Sequence, residues 1–217
     1  MTTLALVFDA YGTLFDVHSV LARCEQFWPG KGAQLSQLWR AKQLEYSWQL
    51  SLMRRYAPFS QLTREALRYS CECLGLKIGK EEEQALMAEY LELKTYPDVP
   101  GALQRLKGHK LAILTNGSPD MIGPLVKNRG MEETFDAVLS VDALKIFKPA
   151  PQVYALAIRK LKIPKNKVAF VSSNCWDALG AKSYGFRAYW INRTGAPVDR
   201  TGFQPDRIVT GLDEVLR

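Results

Sequence analysis

Leu4-Ala5-Leu6-Val7-Phe8 runs without a polar residue and then breaks at Asp9-Ala10-Tyr11-Gly12-Thr13. An apolar run that does not alternate with polar residues is what a central strand of a parallel sheet needs, because both of its faces are covered. Four more runs follow, over residues 110–114, 137–140, 168–171 and 188–191, apolar but for Lys110 and Ser140 at their ends. Segments with helical spacing separate them, at about 120–129, 151–162 and 177–184. Strand–helix alternation of this kind predicts an α/β fold built on a doubly wound parallel sheet.

The stretch from about 16 to 94 reads differently. It keeps helical periodicity almost throughout, with candidate helices at 18–28, 33–55, 60–74 and 80–94, punctuated by Pro29-Gly30, Ala57-Pro58 and Leu74-Gly75. Pro97-Asp98-Val99-Pro100 marks the return to strand–helix alternation. The expected organisation is therefore a core made of residues 1–15 and 96–217, with a helical cap of residues 16–95 inserted after the first strand.

The 217 residues are 47% hydrophobic and 24% charged, ordinary for a chain that buries a core. The first residues carry no basic stretch before a long apolar run, so a signal peptide or membrane span is not expected and a cytoplasmic location is. The four cysteines, Cys24, Cys71, Cys73 and Cys175, form no CxxC pair. With only His18 and His109 to join them they do not suggest zinc, and they read as free thiols in a reducing compartment. The formal net charge is +7. Its lysines and arginines are scattered among acidic residues, which suits a solvated surface with a weak pull on small anions better than a nucleic-acid interface.

Ligand sites of open parallel sheets lie beyond the carboxyl ends of the strands. Four polar clusters stand at such ends: Asp9 after the first run, Thr115-Asn116-Gly117-Ser118 after the second, Lys148-Pro149 before the third crossover helix, and Ser172-Ser173-Asn174-Cys175-Trp176-Asp177 after the fourth. In this order, FDAYGTLFDV (8–17), Thr115-Asn116, Lys148-Pro149 and Asp177 resemble the four motifs of the haloacid dehalogenase superfamily. WRAKQLEYSW (39–48) and VSSNCWD (171–177) are more specific and resemble the L-2-haloacid dehalogenase family within it. The resemblance implies a Rossmann-like core and hydrolysis of small (S)-2-haloacids to (R)-2-hydroxyacids, haloacetates included. It also implies no cofactor or metal, and a homodimer.

The chemistry of two positions agrees. Phosphatases of the superfamily carry DxD in the first motif, where the second aspartate protonates the leaving alkoxide; here that position is Tyr11. A halide leaves without a proton, so the loss suits dehalogenation and damages phosphate-ester hydrolysis. The glycine–aspartate pair that holds magnesium in those phosphatases is Ser172-Ser173 here. Magnesium wants carboxylate oxygens and phosphoryl transfer leans on such a cation, whereas displacement at carbon needs only a carboxylate.

The roles that follow are these. Asp9 displaces halide from the 2-carbon with inversion to give an ester, which water then cleaves at the Asp9 carboxyl carbon. Lys148 holds Asp9 ionised. Asp177, with Ser172 and Asn174, activates the water; the alternative for Asp177 is capping the helix after it. Backbone N–H groups at Ala10 and Tyr11 and the Thr115 hydroxyl receive the substrate carboxylate. The resemblance assigns the departing halide, the partner released with the product, to Arg40 with help from Asn116; the alternative for Arg40 is an ion pair on the helix surface. The same resemblance implies that Tyr11, Leu44, Phe59 and Trp176 shape the pocket, the alternative for Leu44 and Phe59 being plain core packing. It also singles out Thr13, which hydrogen-bonds near Asp9, and Tyr154, which pairs with Lys148 or simply packs. Three rival readings are a metal-dependent phosphatase of the same fold, a catalytically silent binding module that keeps the fold, and a nucleic-acid binder resting on net charge alone.

Overall fold

The computed structural model describes residues 3–215. Six strands, β1 (Ala5–Phe8), β2 (Lys110–Thr115), β3 (Ala137–Ser140), β4 (Val168–Ser172), β5 (Arg187–Ile191) and β6 (Arg207–Val209), form one sheet. Their order is β3-β2-β1-β4-β5-β6, and every pairing is parallel. All four residues of β1 are fully buried, as its unbroken apolar run requires. The chain winds from β1 toward β2 and β3, then crosses to β4 on the other side of β1. The crevice between β1 and β4 is thus the point where the winding direction reverses, and it holds the ends from which Asp9 and Ser172 project.

Helices α1 (Ser19–Phe27), α2 (Gly32–Leu52), α3 (Phe59–Cys73) and α4 (Lys80–Glu89) lie between β1 and the short helix α5 (Val99–Arg105). On α2 the buried positions Leu35, Trp39, Gln43 and Ser47 recur every fourth residue, a single stripe along one face. Gln43 can sit in that stripe because its amide donates to the Tyr90 hydroxyl (2.9 Å) and to Thr63 Oγ1 (3.2 Å), and the Trp39 indole donates to the Thr63 carbonyl. The remaining helices, α6 (Pro119–Asn128), α7 (Pro151–Leu161) and α8 (Cys175–Tyr184), are the crossovers. α6 and α7 open on proline, whose missing N–H costs nothing in a first turn.

The structure departs from the sequence reading at four places. β6 was not expected: it is three residues long at the sheet edge with Ile208 exposed, too short to leave a pattern. α5 was read only as a boundary. α2 stops at Leu52 rather than 55 because Arg54 turns left-handed at φ 55°. α4 stops at Glu89 rather than 94, and side chains on and just after α6 take up the carbonyls beyond it: Asn128 donates to Leu91 O and Arg129 to Glu92 O. Among the described residues no helix is long and apolar enough to cross a membrane, and all four cysteines are free.

Candidate active site

Asp9 follows β1 directly, its N–H held by the Val171 carbonyl of β4 and its side chain 8% exposed. Both carboxylate oxygens are engaged. Oδ1 receives the Lys148 ammonium at 3.0 Å. Oδ2 receives the Thr13 hydroxyl at 3.0 Å and the Asn174 amide at 2.9 Å. The turn bends back under the carboxylate, with Thr13, Leu14 and Phe15 all donating backbone N–H groups to the Ala10 carbonyl.

Lys148 is 1% exposed and its ammonium also meets Asp177 Oδ2 at 2.8 Å. The other oxygen of Asp177 accepts from the Tyr154 hydroxyl at 2.8 Å. Burial works against the charge on Lys148, but the Asp177 and Asp9 carboxylates outweigh it and lift its pKa above the usual lysine value. Burial pushes the Asp177 carboxyl up to about 6; Lys148 pulls the other way and the nearby charge of Asp9 adds to the rise. Burial beside Asp177 likewise raises the Tyr154 phenol well above its ordinary range. The proposed helix cap at Asp177 is not what its side chain does: α8 begins at Cys175, and the carboxylate, on the third residue of the helix, points to Lys148 and Tyr154. Tyr154 reaches Lys148 only through Asp177, which corrects the direct pairing entertained for it.

The neighbouring strand ends supply the frame. Ser172 Oγ accepts the Asn174 N–H at 3.1 Å. Thr115 is buried and its hydroxyl accepts the Gly117 N–H at 3.0 Å, pinning the turn after β2. Asn116 Oδ1 accepts the Lys148 N–H at 2.9 Å, while its amide nitrogen is buried and has no protein partner, as is the Tyr11 hydroxyl. Tyr11 packs so closely on Gly117 that a Cβ there would stand 2.6 Å from Cε2 of the ring.

Arg40 on α2, Tyr11, Asn174 and Trp176 line one cavity of about 460 Å³ beside this cluster. Arg40 hydrogen-bonds Gln43 Oε1 at 3.3 Å and has no carboxylate within ion-pair distance among the described residues, so a surface ion pair does not account for it. Phe59 is buried against Phe147, the residue before Lys148, with ring centroids 6.0 Å apart. Leu44 is half-buried on α2 and is not among the residues lining that cavity. Three residues to which sequence reasoning assigned no contact also contribute: Ser173 and Trp48, named only within their motifs, and Gly180, not named at all. Ser173 donates its N–H to Thr13 Oγ1 (2.8 Å) and its hydroxyl to the Gly12 carbonyl (2.6 Å). Trp48 meets Trp176 edge-on at 5.5 Å. Gly180 leaves room for Tyr154. Nothing in their residue types marks them.

The donor set fits a divalent cation poorly. The two site carboxylates already hold one ammonium between them, and the other Asp9 and Asp177 oxygens receive hydrogen bonds from Thr13, Asn174 and Tyr154. A metal placed there would stand against a like charge and displace these donors. What the arrangement can do is hold one carboxylate, Asp9, fixed by three donors beside a cavity that its neighbours Tyr11, Gly12 and Asn174 line together with a second cation, Arg40.

A family model described as haloacid dehalogenase-like hydrolase matches residues 3–185. An (S)-2-haloacid dehalogenase of Pseudomonas sp. (strain YL) is 48% identical over 213 residues, covering 97% of this chain and 92% of its own. Among solved structures, an L-2-haloacid dehalogenase matches with a TM-score of 0.95 at 46% identity, over 98% of this chain and 96% of that one. The L-2-haloacid dehalogenase of Xanthobacter autotrophicus, solved with chloropropionic acid covalently bound, matches with a TM-score of 0.91 at 42% identity, over 98% and 96% of the two chains.

Proposed function

We propose that this chain, which belongs to the haloacid dehalogenase-like hydrolases and within them to the (S)-2-haloacid dehalogenase family, hydrolyses small (S)-2-haloacids to (R)-2-hydroxyacids through an ester on Asp9. The observation that carries the reading is the Lys148 ammonium lodged between Asp9 and Asp177, with a tyrosine, not an acid, two residues after Asp9.

In this mechanism the substrate carboxylate is received at the Ala10–Tyr11 backbone and the Thr115 hydroxyl. Asp9 attacks C2 from the side opposite the halogen, and the C–O bond forms as the carbon–halogen bond breaks. The halide leaves with the bonding pair toward Arg40 and Asn116, whose unpartnered buried amide nitrogen is a donor suited to an anion. Holding the nucleophile in line, in a site closed by Tyr11, Phe59 and Trp176, supplies the rate that a hydrated carboxylate lacks. Asp177 then takes a proton from water as the water oxygen bonds to the Asp9 carboxyl carbon; the bond from that carbon to the ester oxygen breaks, and the departing 2-hydroxyacid oxygen takes the proton from Asp177. The bond between that oxygen and C2 stays intact, so the inverted configuration is kept. Ser172 and Asn174 hold the water's surroundings. The covalent chloropropionate in the Xanthobacter relative supports the ester. A haloacetate dehalogenase of Moraxella sp. (strain B), 44% identical, supports acceptance of haloacetates.

The helices of residues 16–95 act as a cap over the core of residues 1–15 and 96–217. The protein works in the cytoplasm, which its four free cysteines support. Its partner is a second copy, for which the exposed Leu52 and Met53 at the end of α2 offer apolar surface; sedimentation tests that state. The reaction is tested by halide release from (S)-2-chloropropionate in the presence of chelator, followed by one turnover in heavy-oxygen water. Label in the Asp9 carboxylate supports the ester. Label only in the product, or orthophosphate release that needs magnesium with no halide release, overturns the reading.

A further inference from the structure

After β5 the chain runs through Asn192, Arg193 and Thr194 along the rim of the cavity that Arg40 and Tyr11 also line. Arg193 is half-buried, with 22% of its side chain exposed. Its NH1 pairs with Asp98 Oδ2 at 3.1 Å, its NH2 donates to the Thr13 carbonyl at 3.4 Å, and its guanidinium lies 4.1 Å from the centre of the Tyr96 ring. Three segments distant in sequence therefore meet on one planar cation: the turn that carries the nucleophile, the return from the helices to the sheet, and the loop after β5.

The two crossings between sheet and helices run side by side at this point. Phe15 pairs with Thr95, Asp16 N–H donates to Lys94 O, and Tyr96 N–H donates to Leu14 O. Asp98 is itself fixed, because the same oxygen accepts the Leu212 N–H. Arg193 thus links an anchored carboxylate to the backbone of Thr13, and the Thr13 hydroxyl is one of the three donors on Asp9. A flat fork that spans two acceptors while stacked on a ring is a task for arginine and not for lysine.

We propose that Arg193 is a positioning residue for the nucleophile: clamped on Asp98 and Tyr96, it holds the Thr13 carbonyl and, through Thr13, the aim of the Asp9 carboxylate. Misplacement of a nucleophile by about 1 Å costs on the order of 100-fold in rate. The inference rests on the reaction proposed above, and its first test needs no turnover.

Hydrogen exchange read by mass spectrometry is compared between the wild-type chain, Arg193→Ala and Arg193→Lys. About tenfold faster exchange over residues 9–16 in Arg193→Ala, with the core strands unchanged, is the expected result. In the second test, single-turnover halide release from (S)-2-chloropropionate falls by about 100-fold in Arg193→Ala while KM moves little. Millimolar guanidinium restores part of the rate and methylammonium does not. Arg193→Lys keeps the ion pair with Asp98 but stays slow. Unchanged exchange over residues 9–16 overturns the proposal, as does a raised KM at an unchanged single-turnover rate, which makes Arg193 a group that receives substrate. A wild-type chain that releases no halide counts against the proposed reaction, and the exchange result then decides this proposal alone.

Discussion

Lys148 and Asp177 form an ion pair of 2.8 Å in which neither side chain is more than 1% exposed, and the same ammonium lies 3.0 Å from Asp9. One cation balances two carboxylates. Such a group cannot be removed without leaving charge in a place water does not reach.

Lys148→Met is therefore expected to lose both fold stability and reaction. Breaking a buried pair by removing one partner costs about 3–5 kcal/mol, because the remaining charge is left uncompensated. One of the two carboxylates then takes up a proton, and halide release falls to background. Thermal unfolding and halide release check the two effects. Lys148→Arg does not rescue them, since a guanidinium neither fits the space of an ammonium nor meets two carboxylates from one nitrogen.

The pH dependence follows from Asp177. Its carboxyl is raised to about 6 in the folded chain by burial, against 3.8 as the ordinary value. A raised acid binds its proton more tightly folded than unfolded. Its contribution therefore favours folding at low pH and is lost as pH rises from about 4 through 6. Activity runs the opposite way, because water activation needs the carboxylate. Ester hydrolysis should fall off below an apparent pKa near 6, which belongs to the coupled Asp177–Lys148–Asp9 group and not to one residue. Asp177→Asn should accumulate the Asp9 ester, visible in the intact mass after mixing with (S)-2-chloropropionate. An unchanged hydrolysis rate from pH 5 to 8 overturns the assignment.

Tyr154→Phe separates the hydrogen bond from the packing. The hydroxyl donates to Asp177 Oδ1 at 2.8 Å, and this bond favours the ionised form. The ring stacks on Tyr184 and meets Phe170 and Phe186 edge-on, and phenylalanine keeps all three contacts. Loss of the donor leaves a buried carboxylate oxygen short of a partner, at about 1–3 kcal/mol. The acid limb of the pH profile should move to higher pH, because the neutral acid is now relatively favoured. A profile that stays in place means that Tyr154 only packs.

How much of this was legible beforehand follows from which interactions leave a pattern. β1, β2, β4 and β5 announce themselves because burial on both faces demands unbroken apolar runs, whereas β3 carries such a run at the sheet edge with Val138 exposed. β6, with three residues and Ile208 in solvent, demands nothing of the sequence. In the site, Asp9, Lys148, Asp177 and Asn174 stand at strand ends or the starts of crossovers, where charged and amide residues interrupt apolar patterning and draw notice. Gly180 and Arg193 do not, and Ser173 drew notice only as the residue standing where a magnesium-holding aspartate would be. A serine beside a serine, a glycine within a helix and an arginine in a basic chain are ordinary, and their meaning lies in contacts with residues up to 180 positions away, as Arg193 has with Thr13. The left-handed turn at Arg54 likewise came from a residue with no preference for it, so the helix was read too long.

Gly180 tests the packing that holds the site in register. It lies on α8 where α7 crosses, and a Cβ there would stand 2.5 Å from the Tyr154 hydroxyl and 2.6 Å from Cβ of Pro149. Neither neighbour is the loose end of a flexible chain. One bonds Asp177 and the other follows Lys148, so relief in either direction pulls on the ion pair. Gly180→Ala has a small helix-propensity gain, below about 1 kcal/mol, and an overpacking cost of about 1–3 kcal/mol. The cost wins, and the variant should melt earlier. Because Tyr154 is the side chain displaced, it should also raise the acid limb as Tyr154→Phe does. The double variant Gly180→Ala/Tyr154→Phe, in which the hydroxyl that meets the new methyl group is gone, should recover part of the lost stability relative to the sum of the single changes. Strict additivity of the two in thermal unfolding contradicts the contact.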